Sequence, residues 1–152
     1  DTTYIIHRWA QKEFKNLATA YDSGVRVPKP IHVERNVLIM EFIGENGETA
    51  PSLKEKPPKN PSKVYEDLMT FLGSLYRKAE LVHGDLSEYN IMIWRGRTVL
   101  FDMAQAVPLV HPMSEFLLRR DLTNLNKYFS RLGVEVPSVD DCYKRVTGRG
   151  AS

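Results

Sequence analysis

From residue 4 to residue 22, Ile5, Ile6, Trp9, Ala10, Phe14, Leu17, Ala18 and Tyr21 recur at steps of three and four. That spacing predicts an amphipathic helix of about five turns, stopped at Gly24. The period then changes: Pro28 and Pro30 exclude helix, and residues 31–33 and 37–43 read as two strands joined across Glu34, Arg35 and Asn36. The second, NVLIMEFIG, is almost continuously apolar, which predicts a strand covered on both faces. Residues 45–59 are polar and carry Pro51, Pro57 and Pro58, so they read as a linker or lid rather than a core element. Helical spacing resumes with Asn60 as cap and Pro61 in the first turn, and Val64, Leu68, Phe71, Leu72, Leu75 and Ala79 on the buried face. Residues 91–94 and 98–101 form a hairpin pattern around Arg95, Gly96 and Arg97. A helix over 114–132 follows, stopped by Gly133. A last one starts after Ser138, where S-x-x-D resembles a capping box, and frays into the tail GRGAS.

This order of elements predicts an α+β chain. With 152 residues one domain is the default, and the single cysteine, Cys142, excludes an internal disulfide framework and fits a reducing, cytoplasmic setting. No apolar run approaches the ~18 residues of a membrane span, and the opening DTTYIIHRWAQ lacks the apolar segment of a signal peptide. A net charge of +2 excludes a strong global field for polyanions. Arg119 with Arg120, and Lys144 with Arg145 and Arg149, are local basic groups that read either as solvated helix faces or as phosphate contacts. The chain opens at Asp1 without an initiator Met, as a trimmed chain or a piece of a longer polypeptide would.

The densest chemistry lies in residues 81–102, LVHGDLSEYNIMIWRGRTVLFD. His83, Asp85, Leu86 and Asn90 have the H-x-D-L-x-x-x-N spacing of a kinase catalytic loop, and Asp102 ends an apolar strand. Phosphoryl transfer needs a carboxylate that accepts or orients the proton of the attacking hydroxyl, together with hard oxygen ligands that hold magnesium against the phosphates. Asp85 is the candidate base; Asn90 and Asp102 are the candidate metal ligands, and the hairpin between them brings its two ends together. Asp121 either supports this loop through backbone hydrogen bonds or is a surface acid. Glu13 sits on the first helix's apolar stripe, four residues after Trp9 and four before Leu17, so it either meets a cation or lies at the stripe's edge in water.

WAQKEFKNL at 9–17, VLIMEFIGE at 37–45, HGDLSEYNIM at 83–92 and FDMAQAVPLVHPM at 101–113 together resemble the atypical serine/threonine protein kinases of the RIO family, most closely its Rio1 branch. The resemblance covers nearly the whole chain. It implies a protein-kinase-like fold in which residues 1–43 are what remains of the small lobe, with helix C and the hinge strands, and residues 44–152 are a mostly helical large lobe. It implies Asp85 as catalytic base, Asn90 and Asp102 as metal ligands, Asp102 also as a phosphate acceptor in an ATPase-like cycle, and Met40, Glu41, Phe42 and Ile43 as the adenine-binding hinge. Glu13 becomes the helix glutamate that pairs with a strand lysine. ATP and magnesium, with manganese as the alternative ion, are the implied cofactors, and protein and rRNA of the maturing small ribosomal subunit the implied partners. No membrane partner is implied, and oligomeric state is not legible.

One departure from the family pattern is large. Before the hinge the only glycine is Gly24 and the only lysines are Lys12, Lys15 and Lys29, so neither a glycine-rich phosphate loop nor a lysine preceding the first helix is present. The N-terminal part of the small lobe is therefore missing from this sequence. The expectation is a chain that keeps the base and metal residues, transfers phosphate weakly or not at all, and holds its first helix least securely. Two other readings remain: a non-catalytic ribosome-assembly module, and a small-molecule phosphotransferase of the aminoglycoside kind, which shares the H-G-D-x-x-x-x-N core.

Overall fold

In the computed structural model, which describes residues 2–149 and the side chains of residues 10–149, the chain begins with α1 (Thr2–Asp22). Its C-terminal half buries Leu17, on the expected stripe, and Ala20, beside it; Phe14 and Ala18 are half-buried, Tyr21 is exposed against expectation, and the side chains of Ile5, Ile6 and Trp9 lie outside the described set. Asn16, on the same face, donates through Nδ2 to the carbonyls of Met103 (3.0 Å) and Ala106 (3.4 Å), tying α1 to the turn that follows Asp102. A buried amide that satisfies two carbonyls fixes helix register more tightly than apolar packing, which tolerates sliding.

β1 (Pro30–Glu34) and β2 (Val37–Met40) form an antiparallel pair turned at Arg35, with Val33 opposite Leu38. The expectation that β2 is covered on both faces is wrong. Val37, Ile39 and Met40 are exposed, as are Ile31 and Phe42, because this sheet has two strands and, among the described residues, α1 covers it on one side only.

The proline-rich stretch also corrects its expectation. β3 (Gly44–Glu45) and β4 (Glu48–Thr49) make a small hairpin. Beyond it Ala50, Ser52 and Leu53 are buried, and Leu53 N–H donates to the Ile91 carbonyl at 2.9 Å. Ser52 pairs with Met92 across an isolated bridge, and Glu55 caps the turn by accepting from the Ser52 amide and hydroxyl. Residues 50–53 are thus a core strap under residues 91 and 92. The prolines and lysines of residues 45–59 hid this, since Leu53 is the one large apolar side chain in that stretch.

α2 (Pro61–Ser74) starts where Asn60 Oδ1 accepts from Lys63 N–H, and widens into a π turn over Leu75–Ala79 that Glu80 ends in a left-handed conformation. β5 (Leu81–Val82) pairs with β8 (Val107–Pro108), so the two ends of the candidate site are clamped together. β6 (Ile91–Trp94) and β7 (Arg97–Leu100) form the expected hairpin, whose two-residue turn, Arg95–Gly96, has both φ angles positive. α3 (Ser114–Arg131) and α4 (Val139–Thr147) close the core against α2, through Leu118, Leu122, Leu125, Phe129 and Val146. Tyr65, Tyr128 and Phe129 pack edge to face, and the Tyr65 hydroxyl donates to Asn126 Oδ1 at 2.7 Å. Among the described residues no helix is long and apolar enough to cross a membrane. The expected fraying of the tail beyond Arg149 lies outside the described residues.

Candidate active site

The β6–β7 register determines the site. Ile91 lies opposite Leu100, and Phe101 N–H donates to the Asn90 carbonyl at 2.8 Å, so Asn90 and Asp102 leave the same end of one hairpin. Asp102 itself adopts φ 61°, ψ 72°, a left-handed conformation that costs a non-glycine residue free energy and re-aims its carboxylate as the strand ends. Asp85 and Asp102 are both exposed, and neither carboxylate accepts a hydrogen bond among the described residues. Two unengaged carboxylates are free to meet a substrate hydroxyl or a cation.

The loop between them is held by its own backbone. Asn90 Oδ1 accepts from Ser87 N–H (2.9 Å) while its Nδ2 donates to the Asp85 carbonyl (2.6 Å). Asn90 therefore fixes the backbone of the candidate base, and its Oδ1 keeps one lone pair for a metal. His83 is fully buried: its Nδ1 accepts from Asp85 N–H (3.2 Å), which leaves Nε2 to donate to the Phe101 carbonyl (2.9 Å). One imidazole thereby ties the residue before Asp102 to Asp85. Gly84, at φ 88°, passes so close to Gln105 that an added Cβ would sit 3.0 Å from its carbonyl oxygen, so a side chain there would be strained and would force the Gln105 backbone to shift.

Of the two readings of Asp121, the buried one is observed. Its Oδ2 accepts from Gly84 N–H (2.8 Å) and its Oδ1 from Leu86 N–H (3.0 Å), at zero exposure. The neighbouring Arg120 donates to the Gly84 carbonyl at 2.6 Å. Burial pushes the Asp121 carboxyl above its ordinary range, and the two amide donors, His83 and Arg120 pull it part of the way back.

At the expected hinge, Glu41 N–H is taken by the Lys29 carbonyl (2.8 Å) and the Ile43 carbonyl by Ala50 N–H (2.9 Å). The Glu41 carbonyl and the Ile43 amide carry no backbone bond among the described residues, so one acceptor and one donor remain for an adenine edge. The Glu41 side chain is engaged elsewhere, in a bidentate pair with Arg26 at 2.9 and 3.2 Å that holds its carboxyl below the ordinary range. Ile43 is buried and packs with Met92 and Phe101 around Val99, an apolar floor beneath the hinge, whereas Met40 and Phe42 are exposed.

Glu13 is half-buried and forms no ion pair among the described residues. Burial raises its carboxyl above the ordinary 4.5, and the negative charge of Asp102 raises it further, which also locates Glu13 beside the site. A raised folded-state value means that the stabilisation from protonated Glu13 is complete below about pH 4 and is lost as the pH climbs through that value. Glu13→Gln is therefore expected to flatten this decline and to raise the melting temperature at neutral pH relative to the parent chain; an unchanged difference between the two melting curves from pH 4 to pH 8 would remove Glu13 from the site.

The donor set suits a hard cation. Among the described residues no three His, Cys, Asp or Glu side chains form a ready-made metal cluster, but one carboxylate and one amide oxygen suit magnesium, which keeps waters and takes its other ligands from phosphates. Asn16, Ser52 and Leu53, which position this machinery, were not legible as such from the sequence. For Asn16 a signal existed, an amide next to Leu17 on the buried face of a helix.

Comparison with known proteins gives a consistent picture. The sequence profile of the RIO1 family, described as RIO domain, matches residues 1–142. The RIO-type serine/threonine-protein kinase Rio1 of Haloferax volcanii is 45% identical over 97% of this chain and 50% of its own length. The serine/threonine-protein kinase RIO1 of Saccharomyces cerevisiae is 42% identical over 87% of this chain and 28% of its own. The chain thus spans half or less of these relatives. Among solved structures, the ADP/Mg2+-phosphoaspartate complex of the Rio2 kinase from Chaetomium thermophilum superposes with a TM-score of 0.76 at 26% identity, over 98% of this chain and 47% of that one.

Proposed function

This chain belongs to the RIO family, and from that premise we propose that it carries the base-and-metal half of an ATP- and magnesium-dependent protein kinase and ATPase. The observation that supports this most is the convergence of Asp85, Asn90 and Asp102 at one end of the β6–β7 hairpin, with His83 bridging Asp85 to the residue before Asp102. Magnesium, held by Asn90 Oδ1 and Asp102, would neutralise the β- and γ-phosphate oxygens. The adenine would lie on Ile43, Met92 and Phe101, bonded to the Glu41 carbonyl and the Ile43 amide. Asp85 would orient the acceptor hydroxyl and take its proton.

In the ATPase branch an Asp102 carboxylate oxygen attacks the γ-phosphorus. The bond from that phosphorus to the β,γ-bridging oxygen breaks, ADP leaves, and an acyl phosphate remains on Asp102. Water then displaces phosphate and restores the carboxylate. The similar Rio2 kinase structure is an ADP/Mg2+-phosphoaspartate complex, which favours this branch. Residues 1–40 contain no glycine-rich loop, so these 152 residues taken alone are expected to turn ATP over slowly. Small-ribosomal-subunit maturation in the cytoplasm is the setting that the family resemblance suggests.

The experiment is single-turnover release of labelled phosphate from ATP. Asp85→Asn keeps the backbone bonds to His83 and Asn90, so it is expected to leave nucleotide affinity unchanged while slowing acceptor phosphorylation about 100-fold or more. Transfer unaffected by the substitution would remove Asp85 as the base, whereas absence of any magnesium-dependent transfer would favour a non-catalytic binding module.

A further inference from the structure

On the side of the β6–β7 hairpin away from the catalytic cluster, a cleft of ≈ 470 Å³ opens between residues 51–60, the first turn of α2 and the hairpin turn. Its walls are Pro57, Pro58, Val64, Ile93 and Trp94, and its rim carries Lys56, Lys59, Lys63 and Arg95. Through Lys63 it adjoins a second depression that includes Arg97, and through Arg97 a third that includes Lys29. The clefts therefore form one continuous basic track.

The acids along this track are already committed. Asp67 accepts from Lys63 (3.2 Å) and from the Thr98 hydroxyl (2.8 Å), Glu41 is paired with Arg26, and Glu55 is bonded to Ser52. Lys29, Lys56, Lys59, Arg95 and Arg97 form no ion pair among the described residues. In a chain whose net charge is only +2, such a local excess is a surface with its counter-charge missing.

We propose that this track docks an acidic peptide segment, seating one apolar side chain in the proline- and tryptophan-walled cleft and its flanking carboxylates on Lys56, Lys59, Arg95 and Arg97. Two observations favour a peptide over single-stranded nucleic acid, which uses open aromatic faces for base stacking. The aromatic faces along the track are already covered, Trp94 by the Arg95 guanidinium at 5.1 Å and Tyr21 by Lys29 Nζ at 5.8 Å, with Phe71 half-buried, and the apolar volume is a single half-open cleft at one end of the track. The hairpin turn lies about 13 Å along the strands from Asn90 and Asp102, so a docked segment leaves the catalytic cluster open. Docking here is independent of the phosphotransferase reading.

The test is fluorescence anisotropy with a fluorescein-labelled Glu-Glu-Asp-Phe-Glu-Glu-Leu-Glu peptide. Saturable binding is expected that weakens as salt rises, falls roughly tenfold in Lys59→Glu and in Arg97→Glu, and is lost when the peptide's Phe and Leu are replaced by Ser. Lys127→Glu, on the exposed side of α3, is expected to change affinity less than about twofold. Absence of binding, binding insensitive to the two track substitutions, or tighter binding of an oligouridylate with the same sensitivity would each overturn the proposal. Because none of these substitutions touches Asp85, Asn90 or Asp102, magnesium-dependent turnover stays at the parent level and reports separately on the phosphotransferase.

Discussion

Replacing Asp102 with asparagine is expected to leave no hydroxylamine-labile phosphate on the chain after incubation with ATP and magnesium, and to slow ADP release at least about 100-fold. The substituted side chain would lack the anionic oxygen that attacks phosphorus and the charge that holds the cation, while asparagine tolerates the left-handed backbone at this position. The Asp102 carboxylate bonds to nothing else among the described residues, so the substitution should shift stability by no more than about 0.5 kcal/mol. Loss of turnover with an unchanged melting temperature is thus the signature of a chemical role. One coupled effect is separately measurable: Asp102 contributes to the raised Glu13 titration, so removing its charge should move Glu13 back toward 4.5. A labile phosphate that survives in Asp102→Asn would locate the acceptor elsewhere, and an acid-stable label would point to a serine or threonine instead.

The candidate chemical residues were legible because their spacing is set by covalent geometry. Asp85 and Asn90 belong to one loop, and a four-residue strand, a two-residue turn and a matching strand return Asp102 to the same place whatever else the chain packs against. What the surroundings decide was not legible. The apolar run of β2 carries no record of which partner covers it, and in this chain Val37, Ile39 and Met40 face outward. The strap at residues 50–53 gave the opposite error, since its burial comes from two backbone bonds to the catalytic hairpin, which side-chain polarity does not encode. Asp121 lay between these cases. Its position on α3 allowed both a surface acid and a buried clamp, and only the approach of Gly84 and Leu86 decides for the clamp.

That clamp carries the largest expected effect on folding. Asp121→Ala leaves two buried amides, those of Gly84 and Leu86, without acceptors, at about 1 to 3 kcal/mol each, and leaves Arg120 without its neighbouring carboxylate. Urea denaturation should therefore show a loss of about 3 to 5 kcal/mol, a large part of the total stability of a domain of this size. Asp121→Asn keeps one acceptor and turns an N–H₂ group toward the other amide, so an intermediate loss of about 1 to 3 kcal/mol is expected. The pH dependence distinguishes a charged clamp from a neutral one. Because the folded-state titration of Asp121 lies above 3.8, its contribution to stability falls as the pH rises from about 4 through that raised value, and the asparagine variant lacks this decline. The gap between the two should accordingly be widest in acid and narrow toward neutral pH. The loop that Asp121 holds also carries Asp85, so turnover measured on the fraction that remains folded should drop with the clamp, through misplacement of the base rather than loss of nucleotide binding. A cost below about 1 kcal/mol in Asp121→Ala, or full turnover per folded molecule, would mean that His83 and Asn90 fix the loop without it.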